Sequence, residues 1–198
     1  MQATVNPQLR WMALLSLTGY FLPAAVLGAQ QVERYSLPDD EVAIYNLAGE
    51  VTLEPGTGGD VTVQVTRGGA DAAKLKVMRG RRGGVEILRV VYPENRIRYS
   101  RMPAGSSTQL RMRDDGTFGG DHDEHDRKDS GNQVTIAAQG GGVDAHADLR
   151  VGIPQGRDVA IYLAAGKVSA TRIDTSRTIE GKRGSDSART LMALSQPA

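Results

Sequence analysis

The chain has 198 residues with 24 Gly and no Cys, and its acidic and basic residues nearly balance at a net charge of +1. The lack of Cys excludes a disulfide framework, a Cys-based zinc site and a thiol nucleophile. The balanced charge excludes a wholesale polyanion binder, which normally carries a large positive excess. Because aromatic residues make up only 5% of the chain, we expect a thin hydrophobic core.

The first 29 residues are predicted to be a secretory signal peptide. Arg10 is the only charged residue before a run of 19 uncharged residues, from 11 to 29. Pro23 and the small pair Gly28-Ala29 close this run, as in a signal peptide cleaved after Ala29. The alternative is an uncleaved membrane anchor, since about 20 apolar residues can span a bilayer. We therefore expect export to the periplasm, the outer cell surface or the medium, with membrane contact only through this segment.

Apolar and polar residues alternate with period two through much of the remaining chain. The alternation is clearest in VTVQVT (61–66), QLRMR (109–113), ADLRVGIP (147–154) and DVAIYLAAG (158–166). In 85–91 it loses its phase, which predicts a β-bulge. Gly-rich and Pro-containing turns separate these runs, and no segment shows the pattern of an amphipathic helix. The sequence therefore predicts an all-β domain of about ten short strands.

An internal repeat connects two of the predicted strands. VAIYNLAGEV (42–51) matches VAIYLAAGKV (159–168) at seven of ten positions. The shared pattern predicts a strand, a turn at Gly49 or Gly166, and a second strand, because Gly tolerates the positive φ that such a turn requires. We expect the same unit to be used twice in one sheet system.

Around the second copy the chain resembles a family of bacterial adhesin-like envelope domains. The resemblance rests on VAIYNLAGEV and on a unit of type [AD]LxVxxPxGxxVxxxxxxGxVxxxxI, which is Asp148–Ile173 here. It covers roughly 42–174 and implies a β-solenoid or stacked-sheet domain with antiparallel hairpins at its N-terminal end. It further implies a location in the cell envelope and a role in adhesion. The resemblance brings no catalytic residues with it.

The resemblance ends at Thr175-Ser176, where family members typically continue with further strands. The tail that follows, up to Ala198, is rich in Arg, Ser, Gly and Lys and has no alternating apolar run. We therefore expect a single domain over 30–174, a disordered tail over 175–198, and a family member that is truncated at its C-terminus.

Charge is strongly segregated along the chain. Residues 67–113 carry twelve basic and three acidic side chains, which makes this block the candidate surface for an anionic glycan or another anionic envelope component. The predicted binding residues are Arg79, Arg81, Arg82, Arg96, Arg98, Arg101, Arg111 and Arg113. The alternative is that these side chains pair with neighbouring acids in a solvated, mixed-charge face. Nucleic acid is not an expected partner, because stacking aromatic residues are scarce and the chain is predicted to be exported.

An acidic, Gly-flanked segment follows at 114–132, where seven acids and two bases lie within 114–129. It is predicted to be a mobile loop. The histidines and carboxylates of 121–126 could bind a divalent metal, since imidazole and carboxylate groups are common metal ligands. The predicted ligands are Asp121, His122, Asp123, His125 and Asp126. The alternative is a solvated connection without a ligand. The third histidine, His146, is expected at the surface.

No catalytic motif accompanies these features. The chain lacks a Gly-x-Ser-x-Gly elbow, a phosphate-binding loop and a dinucleotide fingerprint. We therefore expect a non-catalytic envelope or surface protein without a cofactor, which binds through its basic block. The alternatives are a metal-binding module that uses 121–126 and, less consistent with the short chain, a glycan-active enzyme on a β-solenoid.

Overall fold

The computed structural model describes residues 32–119, 131–171 and 190–195. The predicted signal peptide therefore lies outside the described residues. Within them, twelve β-strands and one short 3-10 turn (Ala72–Lys74) account for all regular structure, and the fold is all-β as predicted. Among the same residues, no helix has the length and hydrophobicity that a membrane crossing requires.

The strands form two sheets. Their bounds are β1 (Val32–Leu37), β2 (Glu41–Pro55), β3 (Val61–Gly68), β4 (Lys76–Arg82), β5 (Val85–Val91), β6 (Arg96–Arg98), β7 (Ser107–Met112), β8 (Asn132–Ala137), β9 (Val143–Asp144), β10 (His146–Ile153), β11 (Asp158–Ala170) and β12 (Thr190–Ser195). The larger sheet has the order β1-β3-β10-β2-β11-β12, with β5 beside β2 and β4 beside β5, and it curls into a half-barrel. The smaller sheet has the order β7-β8-β6-β9.

The β4–β5 hairpin shows how the glycine-rich turns work. Gly83 and Gly84 both have positive φ, 58° and 90°, as a two-residue type I′ turn demands. The ladder between the two strands then runs without interruption from Arg82–Val85 to Lys76–Val91. The bulge predicted within 85–91 is therefore absent. The alternation loses its phase there because both Ile87 and Leu88 are buried, so that β5 is covered on both faces.

The two copies of the repeat lie side by side. Strands β2 and β11 are parallel, and Val42 pairs with Val159, Tyr45 with Tyr162 and Gly49 with Gly166 in one continuous register. The expectation that one unit is used twice in one sheet system is thus confirmed. Equivalent residues of the two copies are direct neighbours, which explains why their sequences share a common pattern of residue sizes.

The repeat pattern predicted a turn between two strands at Gly49 and at Gly166. This prediction is wrong. Both glycines lie inside a continuous strand, Gly49 with a φ of 143° and Gly166 with a φ of 137°. A Cβ on Gly49 would lie 1.9 Å from the carbonyl oxygen of Ala147, and one on Gly166 would lie 1.7 Å from that of Gly49. The glycines are therefore required because three backbones approach one another closely at this level of the sheet.

A buried polar network fills a break in the pairing of β2. One side of β2 pairs with β5 over residues 42–45 and with β10 over 51–55. Between them, the Tyr92 hydroxyl lies 2.9 Å from the carbonyl oxygen of Ala48 and 3.0 Å from Oδ1 of Asn46. Asn46 Nδ2 donates to the carbonyl oxygen of Ala147 at 2.7 Å. These side chains satisfy backbone groups that no neighbouring strand reaches.

The two sheets share one hydrophobic core. The predicted alternation holds in β3, where Val61, Val63 and Val65 are fully buried. Ile97 and Ile136 contribute from the smaller sheet and are equally buried. Burial of such side chains supplies most of the stabilisation that a β fold of this size needs.

An aromatic cluster anchors the start of the acidic segment. Tyr45 stacks on Tyr162 with ring centroids 4.4 Å apart, and Phe118 packs edge-on against Tyr45 at 5.8 Å. Burial raises the pKa of Tyr45 to about 12. Phe118, within the segment 114–132 that was predicted as a mobile loop, is thus packed on the larger sheet. Residues 120–130 lie outside the described part of the chain.

The C-terminal tail also differs from the expectation. Disorder was predicted over 175–198, but Thr190–Ser195 forms β12 and pairs antiparallel with residues 158–163 of β11. The segment TLMALS is the apolar end of an otherwise polar tail, and β11 offers it unpaired backbone groups at the sheet edge. The residues between Thr171 and β12 lie outside the described part.

Candidate functional site

The smaller sheet has one apolar and one polar face. In β6, β7 and β8 the residues Ile97, Leu110, Val134 and Ile136 point into the core. Because side chains alternate along a strand, the residues between them project from the opposite face. The sequence thus builds a polar surface from three strands whose most deeply buried positions are apolar.

We call this surface the arginine face. It consists of Arg96, Arg98, Gln109, Arg111, Gln133 and Thr135. Gln109, Thr135 and Arg96 lie in one row across three strands. Arg111 lies two strands and two residues from Arg96, about 12 Å away by strand geometry. The face therefore combines separated positive charges with neutral hydrogen-bonding groups between them.

Contacts within the arginine face hold it in place. Gln133 Nε2 donates to Gln109 Oε1 at 2.7 Å. Arg98 donates to Asp144 Oδ2 at 2.5 Å. A second carboxylate, Asp71, accepts a hydrogen bond from the backbone N–H of Asp144 and also lies near Arg98. Arg96 is exposed and has no carboxylate within ion-pair distance among the described residues. An anionic ligand would meet Arg96 without having to displace a described ion pair.

A second charged group lies where the two sheets meet, and we call it the junction. Arg101 Nη1 donates to both carboxylate oxygens of Asp148, at 2.9 and 3.1 Å, and lies 3.8 Å from Glu50. The backbone N–H of Glu50 also donates to Asp148, at 2.9 Å. Burial opposes the charge of Arg101, but the hydrogen bond to Asp148 and the negative charges of Asp148 and Glu50 together outweigh it, and the pKa of Arg101 rises. Arg101 is thus committed to an intramolecular ion pair.

His146 belongs to the junction and is not the surface residue that its strand phase predicted. Its side chain is 13% exposed. The ring lies 5.4 Å from the Tyr99 ring and over Gly68, where a Cβ would come within 2.4 Å of Nε2. Nε2 lies 3.9 Å from Asp148. Burial lowers the pKa of His146, since the charged imidazole would lose hydration. The prediction failed because the missing side chain of Gly68 leaves space for the ring.

The structure does not gather the eight predicted arginines into one surface. Arg79 pairs with Glu86 at 2.5 Å, and Arg81 pairs with Asp39, both at the β4–β5 hairpin. Five of the eight have a described carboxylate within ion-pair distance, namely Arg79, Arg81, Arg82, Arg98 and Arg101. This is the pairing that the mixed-charge alternative expected.

Arg82 and Arg113 meet at the base of the acidic segment. Arg82 Nη1 donates to Thr117 Oγ1 at 2.6 Å, and Arg113 donates to the carbonyl oxygen of Gly119 at 3.2 Å. Asp115 accepts two hydrogen bonds from Thr117. Although burial opposes the charge of Asp115, these hydrogen bonds and the nearby arginines lower its pKa. These arginines hold the segment that leads to Phe118.

Several residues of the candidate site were not singled out from the sequence. Gln109, Gln133 and Thr135 carry no motif, and Asp144 lies in a two-residue strand. Their period-two phase already indicated an outward position, but only the strand register shows that they border the same arginines. Glu50 reaches the junction from the first repeat copy, about a hundred residues away along the chain.

The predicted metal ligands from Asp121 to Asp126 lie outside the described residues. Among the residues that are described, no group of three or more His, Asp or Glu side chains could hold a metal ion. A cleft of about 390 Å³ lies between the β1–β2 turn and the β4–β5 hairpin. Its carboxylates Asp39 and Asp40 pair with Arg81 and Arg157.

The fold and its polar surfaces define an all-β protein with a cationic face on its smaller sheet. The chain matches no protein-family model, no curated protein and no solved structure.

Proposed function

We propose that this chain is a non-catalytic, exported protein of adhesin-like type that binds an anionic glycan or another anionic envelope component. The observation that carries the proposal is the arginine face, on which Arg96, Arg98 and Arg111 project between hydrogen-bonding Gln and Thr side chains. Sulfate and carboxylate groups accept hydrogen bonds from guanidinium groups in a planar, bidentate geometry.

Of the eight predicted binding arginines, those on the smaller sheet are proposed to bind the ligand. The arginines of the β4–β5 hairpin and Arg101 are paired with carboxylates, so that a ligand there would have to break existing ion pairs. Arg96 has no such described partner. A ligand is therefore proposed to bind at Arg96 first and to extend across the smaller sheet toward Arg111.

The proposed architecture is a short β-solenoid-like stack. It is supported by the parallel pairing of β2 and β11, in which equivalent residues of the repeat stack in register. The N-terminal run of uncharged residues supports export. The adhesin-like role remains a proposal by resemblance in sequence.

The test is a binding experiment with the purified protein on an array of sulfated, uronate-containing and neutral glycans. We expect binding to the anionic glycans at about 0.05 M salt and its loss at about 0.5 M, where charges are screened within a few ångströms. Arg96→Ala combined with Arg111→Ala should weaken binding about thirtyfold, since each contact charge contributes on the order of 1 kcal/mol and the two together about 2 kcal/mol.

The matched control is Arg34→Ala combined with Arg150→Ala. Both arginines are exposed on the larger sheet and lie next to Gln64 in neighbouring strands, so that the net charge changes equally. We expect binding close to that of the unchanged protein. Equal losses in both double variants would show a nonspecific charge effect, and no salt-sensitive binding at all would refute the proposal.

A further inference from the structure

One extended segment joins the arginine face to the junction. Residues 143–153 form β9 in the smaller sheet and β10 in the larger one. Along this segment Val143, Ala145 and Ala147 are buried, so that Asp144, His146 and the residues in phase with them project from the other side. His146 therefore lies between the Arg98–Asp144 pair and the Arg101–Asp148 pair.

The groups around His146 have a small net negative charge when its ring is neutral. Asp144 and Asp148 flank it along the chain, Glu50 approaches from β2, and Arg98 and Arg101 approach from β6 and the segment after it. Asp71 accepts a hydrogen bond from the backbone N–H of Asp144 and pairs with Lys74, so this second pair adds no net charge. Three carboxylates thus oppose two guanidinium groups. Tyr99 and the backbone of Gly68 cover the ring and carry no charge at neutral pH.

Asp148 has little capacity left to neutralise a second cation. Its two oxygens already accept hydrogen bonds from Arg101 and from the backbone of Glu50. A proton on His146 would place a second positive charge 3.9 Å from this carboxylate, which Arg101 already occupies. The local charge then changes from −1 to zero, because the added proton is not compensated by any new carboxylate.

We propose that protonation of His146 in mild acid strengthens the binding of anionic glycans to the arginine face. The inference rests on the proposed function and adds its regulation. Removal of the local negative charge beside Arg98 lowers the repulsion that an approaching sulfate or carboxylate group meets. The burial of the ring keeps His146 neutral at pH 7, so that the change occurs on acidification.

The test measures the affinity for dextran sulfate at pH 7.5 and pH 5.5 at constant ionic strength, because sulfate esters remain ionised at both pH values. We expect the affinity to rise about two- to fourfold in acid, the effect of one charge at about 5–10 Å in water. His146→Gln, which cannot be protonated in this range, should lose this gain. The control is His122→Gln combined with His125→Gln, which replaces the other two histidines of the chain.

Two outcomes would overturn the inference. One is an equal acid gain in His146→Gln and in the unchanged protein. The other is a gain that disappears only in the control variant. Absence of binding at either pH would instead refute the proposed function, and the inference with it.

A direct titration keeps the test valid if His146→Gln does not fold. The imidazole C–H resonances of His146 in the unchanged protein should report a pKa below 6.5, and the midpoint of the acid gain should coincide with it. Because the unfolded chain binds this proton more tightly, the free energy of unfolding should also fall as pH decreases below about 6.5. A midpoint that differs from the His146 titration would contradict the proposal.

Discussion

The two repeat copies have nearly the same sequence but different surroundings. Strand β2 pairs with β11 on one side and with β5 and β10 in turn on the other, whereas β11 pairs with β2 and, over its first half, with β12. At one pair of equivalent positions β2 has Asn46 and β11 has Leu163, and both are buried. The shared residues set the register of the two strands. Asn46 and Leu163 adapt each copy to its own neighbours.

This comparison makes Gly49 and Gly166 the most sensitive positions. Gly49→Ala should lower the free energy of unfolding by at least about 3 kcal/mol, because the added Cβ would overlap the carbonyl oxygen of Ala147 and the backbone is strained by the positive φ. Gly166→Ala should behave alike, through the oxygen of Gly49. Urea unfolding followed by circular dichroism measures both.

Gly58→Ala is the control for this prediction. Gly58 also has a positive φ, of 89°, but no atom lies within 4 Å of the Cβ that would be added. Gly58→Ala should lower the free energy of unfolding by about 1 kcal/mol, because it adds only backbone strain. If Gly49→Ala were no more damaging than Gly58→Ala, the close approach of the stacked backbones would not be the reason for glycine.

The next largest effect is expected where the copies differ. Asn46→Leu gives β2 the residue of β11 and removes the donor to the carbonyl oxygen of Ala147 and one partner of the Tyr92 hydroxyl. We expect a loss of about 2 kcal/mol in the free energy of unfolding, the cost of leaving a buried polar group unpaired.

The reciprocal change, Leu163→Asn, gives β11 the residue of β2. It places a polar side chain at a position that is 3% exposed, and Tyr92 lies on the opposite side of β2 from β11. The double variant, Asn46→Leu combined with Leu163→Asn, should therefore be less stable than either single variant. Recovery of stability in the double variant, measured in the same urea titration, would mean that the two positions are interchangeable and the neighbours irrelevant.

The smallest effect concerns the charges that follow the two glycines. Glu50 and Lys167 are paired in the register, so Lys167→Glu places two like charges on neighbouring strands. We expect a loss of about 0.5 kcal/mol, which added salt should reduce. Lys167→Gln should cost less, and a thermal melt of both variants at two salt concentrations measures the difference. An equal loss in both would exclude charge repulsion as the cause.

Much of the fold could be predicted because its signals are local. The alternation in VTVQVT and the similarity of the two copies were enough to predict an all-β fold and a shared sheet system. The turn predicted at Gly49 was wrong because a positive φ has two uses, a reversal of the chain or a close backbone contact inside a strand. Only the position of Ala147 in a neighbouring strand distinguishes them.

The candidate site was less predictable, because it depends on which side chains are brought together. The sequence indicated a basic block but not that Arg79 and Arg81 would be paired while Arg96 would have no described carboxylate within ion-pair distance. Ion pairs form between residues such as Arg101 and Asp148 that are far apart in the chain. Their partners follow from strand order, which a charge count along the sequence does not contain.

The strand periodicity, the turn glycines, the repeat and the segregation of charge can all be read from the amino-acid sequence, since each is a pattern of residue types along the chain. Only the folded chain shows that the repeat copies stack in parallel, that Tyr99 covers His146 over Gly68, and that Arg79, Arg81 and Arg101 pair with carboxylates. The physical reason is that burial and ion pairing depend on contacts between distant segments, and those contacts exist only once the sheets have formed.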